Sequence, residues 1–219
     1  MTPRRFDLIV FDWDGTLFDS TAIIKRCIQE ALRDVGATVP SDQGVSFVIG
    51  LGLTQALTHA AKDVPQERLP DLRARYHHHY MAYQNALSLF SGVVEMLATL
   101  KQNAHRLAIA TGKSRLGLNQ ALQSVALQNV FDASRTADET RGKPHPLMLQ
   151  ELMDSLGVAS ARTLMIGDTT HDLQMAANAA CHSVGVSYGA HTGQDLQRLQ
   201  PLFVAPSVPA LHHWLQHNA

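Results

Sequence analysis

The amino-acid sequence predicts an α/β protein, with a Rossmann-like parallel sheet core and an inserted all-helical cap domain. Three observations indicate this architecture. A short apolar run, residues 8–11, ends in two aspartates, Asp12 and Asp14. Residues 20–87 show only helical patterns, and strand and helix patterns alternate from residue 88 onward. Repeated strand–helix units are typical of a parallel sheet with right-handed crossovers.

We therefore assign residues 1–19 and 88–219 to the core and residues 20–87 to the cap. The formal net charge of -1 gives no reason to expect nucleic acid or an anionic membrane as a partner. The two cysteines, Cys27 and Cys181, form neither a disulfide framework nor a zinc-binding spacing. No run reaches the roughly 18 apolar residues of a membrane span. We expect a cytoplasmic protein with no nucleic-acid and no membrane partner.

The first element is a buried strand over residues 8–11, because the run is short, rich in branched side chains and closed by a turn. This strand delivers Asp12 to its carboxyl end, where open α/β sheets bind their ligands. Asp14 follows two residues later, and two carboxylates so close repel each other. A divalent cation is the simplest group that compensates them.

The cap begins with a helix from Thr21, predicted by apolar residues at three- and four-residue spacing and ended by Gly36. Residues 50–52 form a glycine-flanked turn. Further cap helices are expected over residues 40–49, from residue 54 onward and over residues 65–85.

The core resumes at residues 89–92 with alternating elements. Five further strands are predicted, over residues 106–110, 131–135, 163–166, 182–186 and 202–205. Helices are predicted from residue 93 and over residues 114–126, 146–156, 173–180 and 208–216.

Polar side chains stand at the ends of three of these strands, and a lysine precedes a helix. The residues are Asp12 and Asp14, Thr111-Gly112-Lys113, Asp168 and Asp172, and Lys143. Carboxylates, a lysine and a hydroxyl are what phosphoryl transfer requires. Carboxylate oxygens bind Mg²⁺, the lysine and hydroxyl neutralise the phosphoryl oxygens, and one carboxylate can act as nucleophile.

These residues also resemble the motifs of a known family. Residues 12–20 resemble the first motif of the haloacid dehalogenase-like hydrolase superfamily, and Thr111 its second. Lys143 resembles the third motif and residues 167–172 the fourth, in the family's order. The helical insert after the first motif resembles the cap of the phosphoglycolate phosphatase and phosphomutase branch.

The resemblance implies a role for each carboxylate. Asp12 would attack phosphorus and carry the phosphoryl group. Asp14 would act as acid and base, and its backbone carbonyl would contact Mg²⁺. Asp168 would be a metal ligand, and Asp172 would hold the metal's waters or orient Lys143.

The remaining implied contacts concern the substrate. Thr111 and the backbone N–H of Gly112 would bind the phosphoryl group, and Lys143 would pair with Asp12 and the phosphate. In the cap, Gly50 and Leu51 would contact substrate. Gly112 stands where this branch often has asparagine, so a side-chain amide contact is missing.

We expect a Mg²⁺-dependent phosphatase that hydrolyses a small phosphomonoester metabolite through an aspartyl-phosphate intermediate, with phosphoglycolate phosphatase the nearest named activity. A sugar phosphomutase using the same intermediate is the alternative, and a non-catalytic phospho-accepting sensor is an alternative of another class. The expected oligomeric state is a monomer or a small homo-oligomer.

The twelve histidines carry weaker predictions. Residues 77–79, three consecutive histidines within a helix, point in different directions and are expected on a solvated surface. His145 and His171 flank motif residues. They are expected as exposed loop side chains, with a position at the mouth of the pocket as the alternative.

Overall fold

The computed structural model describes residues 4–219, so residues 1–3 of the expected core lie outside the described part. Its centre is a six-stranded parallel sheet with the strand order β3-β2-β1-β4-β5-β6. The strands are β1 (Leu8–Phe11), β2 (Arg106–Thr111), β3 (Ala133–Thr136), β4 (Thr163–Gly167), β5 (His182–Val186) and β6 (Val204–Ala205). The predicted α/β fold class is confirmed.

Strand β1 lies in the middle of the sheet, and all four of its residues are buried. Leu8 is in register with Arg106 of β2 on one side and with Thr163 of β4 on the other. The carboxyl ends of these three strands therefore meet at one edge of the sheet, which is where the predicted site residues follow them.

Helices cover both faces of the sheet. Ile9 and Phe11 belong to a hydrophobic cluster with side chains of the helices that precede and follow β2 and of the last helix. Leu8 and Val10 point the other way and belong to a second cluster. The cap helices are α1 (Thr21–Asp34), α2 (Asp42–Phe47), α3 (Leu53–Ala60) and α4 (Leu69–Tyr83). The core helices are α5 (Val93–Gln102), α6 (Arg115–Ser124), α7 (Leu147–Leu156), α8 (Thr170–Asn178), α9 (Gly193–Gln197) and α10 (Val208–Asn218).

The segment that we propose as the cap has a hydrophobic cluster of its own. Helix α1 contributes a stripe at helical spacing, and α4 packs against it with Leu72 and Tyr76. None of the helices within residues 4–219 is long and apolar enough to cross a membrane.

The two connections between core and cap run side by side. Phe18 forms an antiparallel bridge with Leu89. The N–H of Asp19 donates to the carbonyl of Ser88 at 2.8 Å, and the N–H of Phe90 donates to the carbonyl of Leu17 at 3.0 Å. The chain therefore leaves and re-enters the core at one place.

Several predicted boundaries were wrong. Strand β3 begins at Ala133, two residues later than predicted. Just before the strand, the carboxylate of Asp132 accepts a hydrogen bond from the N–H of Leu107 at 2.7 Å. Strand β6 has only two residues. Helix α8 begins at Thr170 and not at residue 173, because Thr169 caps it.

The histidines of residues 77–79 differ from one another. His77 and His78 are exposed, as predicted. The prediction was wrong for His79, whose ring nitrogens lie 3.1 Å from Oε2 of Glu30 and 2.8 Å from Oδ2 of Asp34. This ring joins α4 to α1 within the cap.

Candidate active site

Asp12 follows β1 and is buried, with its N–H donating to the carbonyl of Ile166 at 2.9 Å. Its neighbour is Lys143, whose Nζ lies 2.7 Å from Oδ1 of Asp12 and 2.6 Å from Oδ1 of Asp172. The side chains of Lys143, Asp12 and Asp172 are each at most 1% exposed. One ammonium group thus holds two carboxylates from different ends of the sequence.

The charge on Lys143 is stabilised by its partners. Burial opposes that charge, but the carboxylates of Asp12 and Asp172 outweigh it and raise the pKa of Lys143 above its usual value. Lys143 is therefore a permanent cation at this position.

Asp172 is positioned by the start of helix α8. The N–H and the hydroxyl of Thr169 donate to its Oδ2 at 3.1 and 2.7 Å, and its own N–H donates back to Thr169 Oγ1 at 3.3 Å. This capping box leaves Oδ1 free to face Lys143. Asp172 therefore caps helix α8 with one carboxylate oxygen and pairs with Lys143 through the other.

Asp168 follows β4 and is also buried. The hydroxyl of Thr16 donates to its Oδ1 at 2.9 Å, and the N–H of Ala190 donates to its Oδ2 at 2.7 Å. Gly15 and Gly189 approach this carboxylate so closely that a β-carbon at either position would collide with it. The segment around residues 189–190 was not predicted as part of the site, since a backbone donor leaves no signature in residue type.

These carboxylates have the chemistry of a site for a divalent cation. Asp12, Asp168 and Asp172 each offer an oxygen, and the three oxygens lie within 4.8 Å of one another. Oδ2 of Asp12 is buried and has no hydrogen-bond partner among the described residues. Oxygen ligands of this kind suit Mg²⁺.

The electrostatics of the three groups agree with that fit. Three buried carboxylates lie close together, and the ammonium of Lys143 pairs with only two of them, so their negative charge is not fully compensated. Burial, followed by the charge of Asp172, raises the pKa of Asp168 to about 7. Burial also raises the pKa of Asp12, although Lys143 opposes this. A second cation, such as a bound metal ion, would reduce the repulsion between these carboxylates.

Asp14 faces away from this cluster. Ser20 Oγ donates to its Oδ1 at 2.7 Å, and Lys113 Nζ lies 3.1 Å from Oδ1 and 3.0 Å from Oδ2. Lys113 also donates to the hydroxyl of Tyr80, in cap helix α4, at 3.2 Å. The side chain of Asp14 is thus separate from the three carboxylates that could hold a metal, and the implied contact of its backbone carbonyl stays a prediction.

Thr111 and Gly112 close the site at the end of β2. Thr111 is buried, and its Oγ1 accepts from the N–H of Lys113 at 3.2 Å. The backbone carbonyls of Gly50 and Leu51 lie directly against Gly112, where any side chain would collide with them. The cap loop occupies the space that an asparagine side chain would need.

The structure therefore brings the cap loop to the site. Gly50 has a φ of 90° and its Cα faces Thr169, where a β-carbon would come within 3.1 Å. The loop lies between the second and fourth motif regions, at Gly112 and Thr169, and the contact of Gly50 and Leu51 with substrate stays a prediction.

His145 and His171, which flank motif residues, differ in burial and in their contacts. His171 is buried, so its predicted exposure was wrong: its Nε2 lies 2.7 Å from the carbonyl oxygen of Phe47 in the cap. The fourth motif thus has a contact with the cap. His145 is half-buried, and its Nδ1 accepts from the N–H of Leu147 at 3.2 Å, a local contact at the start of α7.

Known proteins have sequences and folds similar to those of this chain. A sequence profile described as haloacid dehalogenase-like hydrolase matches residues 9–186. A protein named "Probable phosphatase IndB" from Dickeya dadantii is 36% identical over 199 residues, covering 89% of this chain and 86% of that protein. A phosphoglycolate phosphatase from Aliivibrio fischeri is 32% identical over 203 residues, covering 89% of each chain.

Among solved structures, a hydrolase from Pseudomonas syringae superposes with a TM-score of 0.88. The match covers 96% of this chain and 98% of that one, at 24% identity. At that identity the likeness concerns the fold, and it includes the helical segment as well as the sheet.

Proposed function

Because the chain belongs to the haloacid dehalogenase-like hydrolase family, we propose that it is a Mg²⁺-dependent phosphatase that hydrolyses a small phosphomonoester through an aspartyl-phosphate intermediate. Its relatives include proteins named as phosphatases. The observation that carries the proposal is the environment of Asp12: Lys143 pairs with one carboxylate oxygen, while the other is buried and has no hydrogen-bond partner within residues 4–219.

In the first step, Oδ2 of Asp12 attacks phosphorus, and the bond between phosphorus and the ester oxygen breaks. Asp14 gives its proton to the departing oxygen, which leaves as an alcohol. Lys143 neutralises charge on Asp12 and on the phosphoryl oxygens, and Mg²⁺ held by Asp12, Asp168 and Asp172 would supply further charge compensation.

In the second step, Asp14 removes a proton from water, whose oxygen bonds to phosphorus. The bond between Asp12 and phosphorus breaks, so inorganic phosphate is released and both carboxylates return to their starting states. The hydroxyl of Thr111 and the N–H of Gly112 donate to phosphoryl oxygens in both steps. The arrangement makes the same residues serve both halves of the reaction.

The cap loop excludes bulk water while it lies on Gly112, so the cap must move to admit substrate. We place the hinges at the paired connections near Ser20 and Leu89. The boundaries of the cap at residues 20 and 87, the cytoplasmic location and the monomeric or small homo-oligomeric state stay predictions from the sequence.

The test is phosphate release from a panel of esters with Mg²⁺, comparing the wild-type protein with Asp12→Asn. The panel contains phosphoglycolate, sugar phosphates, nucleotides and pyrophosphate. Steady release of phosphate from at least one ester, without a bisphosphate activator, is expected and contradicts a phosphomutase. If the protein becomes phosphorylated but hydrolyses none of the panel, it is a sensor and the proposal is wrong.

A further inference from the structure

The loop that follows strand β5, residues 188–191, lies against the site but contains none of the motif residues. We call it the β5 loop. Strands β4 and β5 are neighbours in register, with Gly167 beside Gly185, so the chain after β5 emerges next to Asp168. The β5 loop contains no carboxylate, and the proposed mechanism gives it no step. Its contacts nevertheless converge on Asp168, one of the proposed metal ligands.

The backbone of the β5 loop holds Asp168 directly. The N–H of Ala190 donates to Oδ2 of Asp168 at 2.7 Å, and the N–H of His191 donates to the backbone carbonyl of Asp168 at 3.2 Å. The ring of His191 fixes the end of the loop, because its Nδ1 accepts from the N–H of Thr170, in the first turn of α8, at 3.0 Å. One carboxylate oxygen of Asp168 is therefore held by a loop that is itself held in place.

Tyr188 reaches the other oxygen of Asp168 through Thr16. The hydroxyl of Tyr188 donates to the backbone carbonyl of Thr16 at 2.9 Å, and the hydroxyl of Thr16 donates to Oδ1 of Asp168, also at 2.9 Å. The ring of Tyr188 packs edge to face on Phe90, with 4.9 Å between the ring centroids. This packing keeps the ring in place, and the hydroxyl links the β5 loop to the turn that carries Thr16.

A carboxylate that is held at both oxygens binds cations selectively. Asp168 cannot rotate its carboxylate without losing the hydrogen bond from Thr16 or the one from Ala190. Mg²⁺ demands near-ideal octahedral geometry, and a fixed ligand oxygen suits it, whereas Ca²⁺ accepts flexible geometries and often takes both oxygens of a carboxylate. Hydrogen-bond partners of metal-binding side chains typically change the metal affinity by about 10–100-fold. The contacts of Asp168 should therefore favour Mg²⁺ over Ca²⁺.

We propose that Tyr188 is a positioning residue for the metal site: through Thr16 it orients the carboxylate of Asp168, and it thereby sets the affinity of the site for Mg²⁺ and its preference for Mg²⁺ over Ca²⁺. The inference rests on the proposed Mg²⁺-dependent function. It adds a residue that lies outside all four motif regions and acts on the ion through two successive hydrogen bonds.

The test measures the binding of Mg²⁺ and of Ca²⁺ without substrate, by isothermal titration calorimetry. Tyr188→Phe keeps the aromatic ring against Phe90 and removes only the hydroxyl. We expect the Kd for Mg²⁺ to rise by about 10-fold and the Kd for Ca²⁺ by less than about 3-fold. Tyr83→Phe is the matched control. It removes a hydroxyl that donates to Glu30 within the cap at 3.3 Å, and it should change neither Kd.

A double-mutant cycle tests whether Tyr188 acts through Thr16. Thr16→Val removes the hydroxyl that donates to Asp168 and should itself weaken Mg²⁺ binding. In that background, Tyr188→Phe should change the Kd for Mg²⁺ by less than about 2-fold, because the path to Asp168 is already broken. Independent effects of the two substitutions would overturn the proposal. The single variant Tyr188→Phe decides the question if Thr16→Val does not fold.

Two results with Tyr188→Phe alone would also overturn the proposal. An unchanged Kd for Mg²⁺ would show that the hydroxyl does not orient Asp168. Equal losses for Mg²⁺ and Ca²⁺ would show that the substitution disturbs the site as a whole and does not affect its selectivity.

This proposal and the proposed function fail in different ways. A wild-type protein that binds no Mg²⁺ removes the Mg²⁺-dependent function, and the role of Tyr188 with it. If the wild type binds Mg²⁺, Asp168→Asn loses that binding and Tyr188→Phe binds both ions as the wild type does, only the role of Tyr188 is removed.

Discussion

The α-carbon of Gly112 lies against the carbonyl oxygen of Leu51, with no room between them for a side chain. A β-carbon at Gly112 would also lie 2.6 Å from the carbonyl oxygen of Gly50. The core therefore accepts the cap loop only because residue 112 is a glycine. Thr111 and Lys113, on either side, keep their contacts within the site.

Gly112→Ala should push the cap loop away from the site. We expect kcat/KM to fall by roughly 10-fold or more, because the closed position of the loop excludes water and orients substrate. Hydrogen exchange of residues 50–53 should become faster. Gly117→Ala, within helix α6, is the control and should change neither quantity. Unchanged exchange in Gly112→Ala would mean that the loop adapts to the methyl group.

Asp12→Asn should abolish turnover, because an amide cannot attack phosphorus. The expected loss in kcat is at least about 10³-fold, measured as phosphate release under saturating substrate. Asp19→Asn tests the same substitution at an exposed position a few residues away and should keep full activity. Turnover that survives in Asp12→Asn would contradict the assignment of the nucleophile.

Asp14→Asn should separate the two halves of the reaction. With a good leaving group such as p-nitrophenolate, the phosphoenzyme should still form, because that group departs without a proton. Its hydrolysis should be slow, since no base activates the water. Rapid-quench measurements should show a burst of p-nitrophenolate followed by slow turnover. Equal slowing of both steps would indicate that Asp14 acts mainly on the metal.

Mg²⁺ should stabilise the folded protein through the buried carboxylates. At a hundred times its Kd, it should raise the Tm by roughly 5–10 °C. Asp168→Asn should lose most of this shift, and without Mg²⁺ it should be at least as stable as the wild type, because one of the mutually repelling carboxylates is gone. An Mg²⁺-dependent shift of the same size in Asp168→Asn would place the ion elsewhere.

Asp7 should make the free energy of unfolding depend on pH in the acidic range. The guanidinium of Arg162 holds the pKa of Asp7 well below its usual value, and Arg4 adds to this effect. Because the folded-state pKa is lowered, the contribution is fully present above about pH 4 and is lost as the pH falls below that value.

Asp7→Asn should therefore cost about 1 kcal/mol in the free energy of unfolding at pH 7. Urea denaturation at pH 7 and pH 3 measures this difference, which should shrink at the lower pH. A cost that is the same at both pH values would show that the hydrogen bonds of Asp7 matter and its charge does not.

Much of the site was predictable because its residues carry local patterns. Asp12 and Asp168 each follow an apolar strand directly, and parallel strands bring their carboxyl ends to one edge. Lys143 stands in a loop before a helix, and only the resemblance to a family related it to Asp12. The contact itself, 2.7 Å between Nζ of Lys143 and Oδ1 of Asp12, joins residues 131 positions apart and depends on tertiary packing.

The rest of the site depends on tertiary packing. Tyr80 and Lys113 lie 33 residues apart in different domains of our assignment, and nothing in either segment indicates that they meet. Helix α8 was predicted to begin too late, because the pattern of apolar residues starts at Leu173 while Thr169 and Asp172 cap the helix with polar groups. Backbone donors such as the N–H of Ala190 have no pattern at all.

The paired connections at Phe18 and Leu89 have a consequence for how such proteins diversify. Since the chain departs and returns through one bridge, the intervening helices could be exchanged for another insert without changing the order or register of the six strands. Only the residues that touch the insert, such as Gly112 and Lys113, would have to change with it. A new substrate-binding insert can thus replace the old one in evolution while the catalytic residues stay unchanged. A protein engineer can exchange the insert at the same bridge.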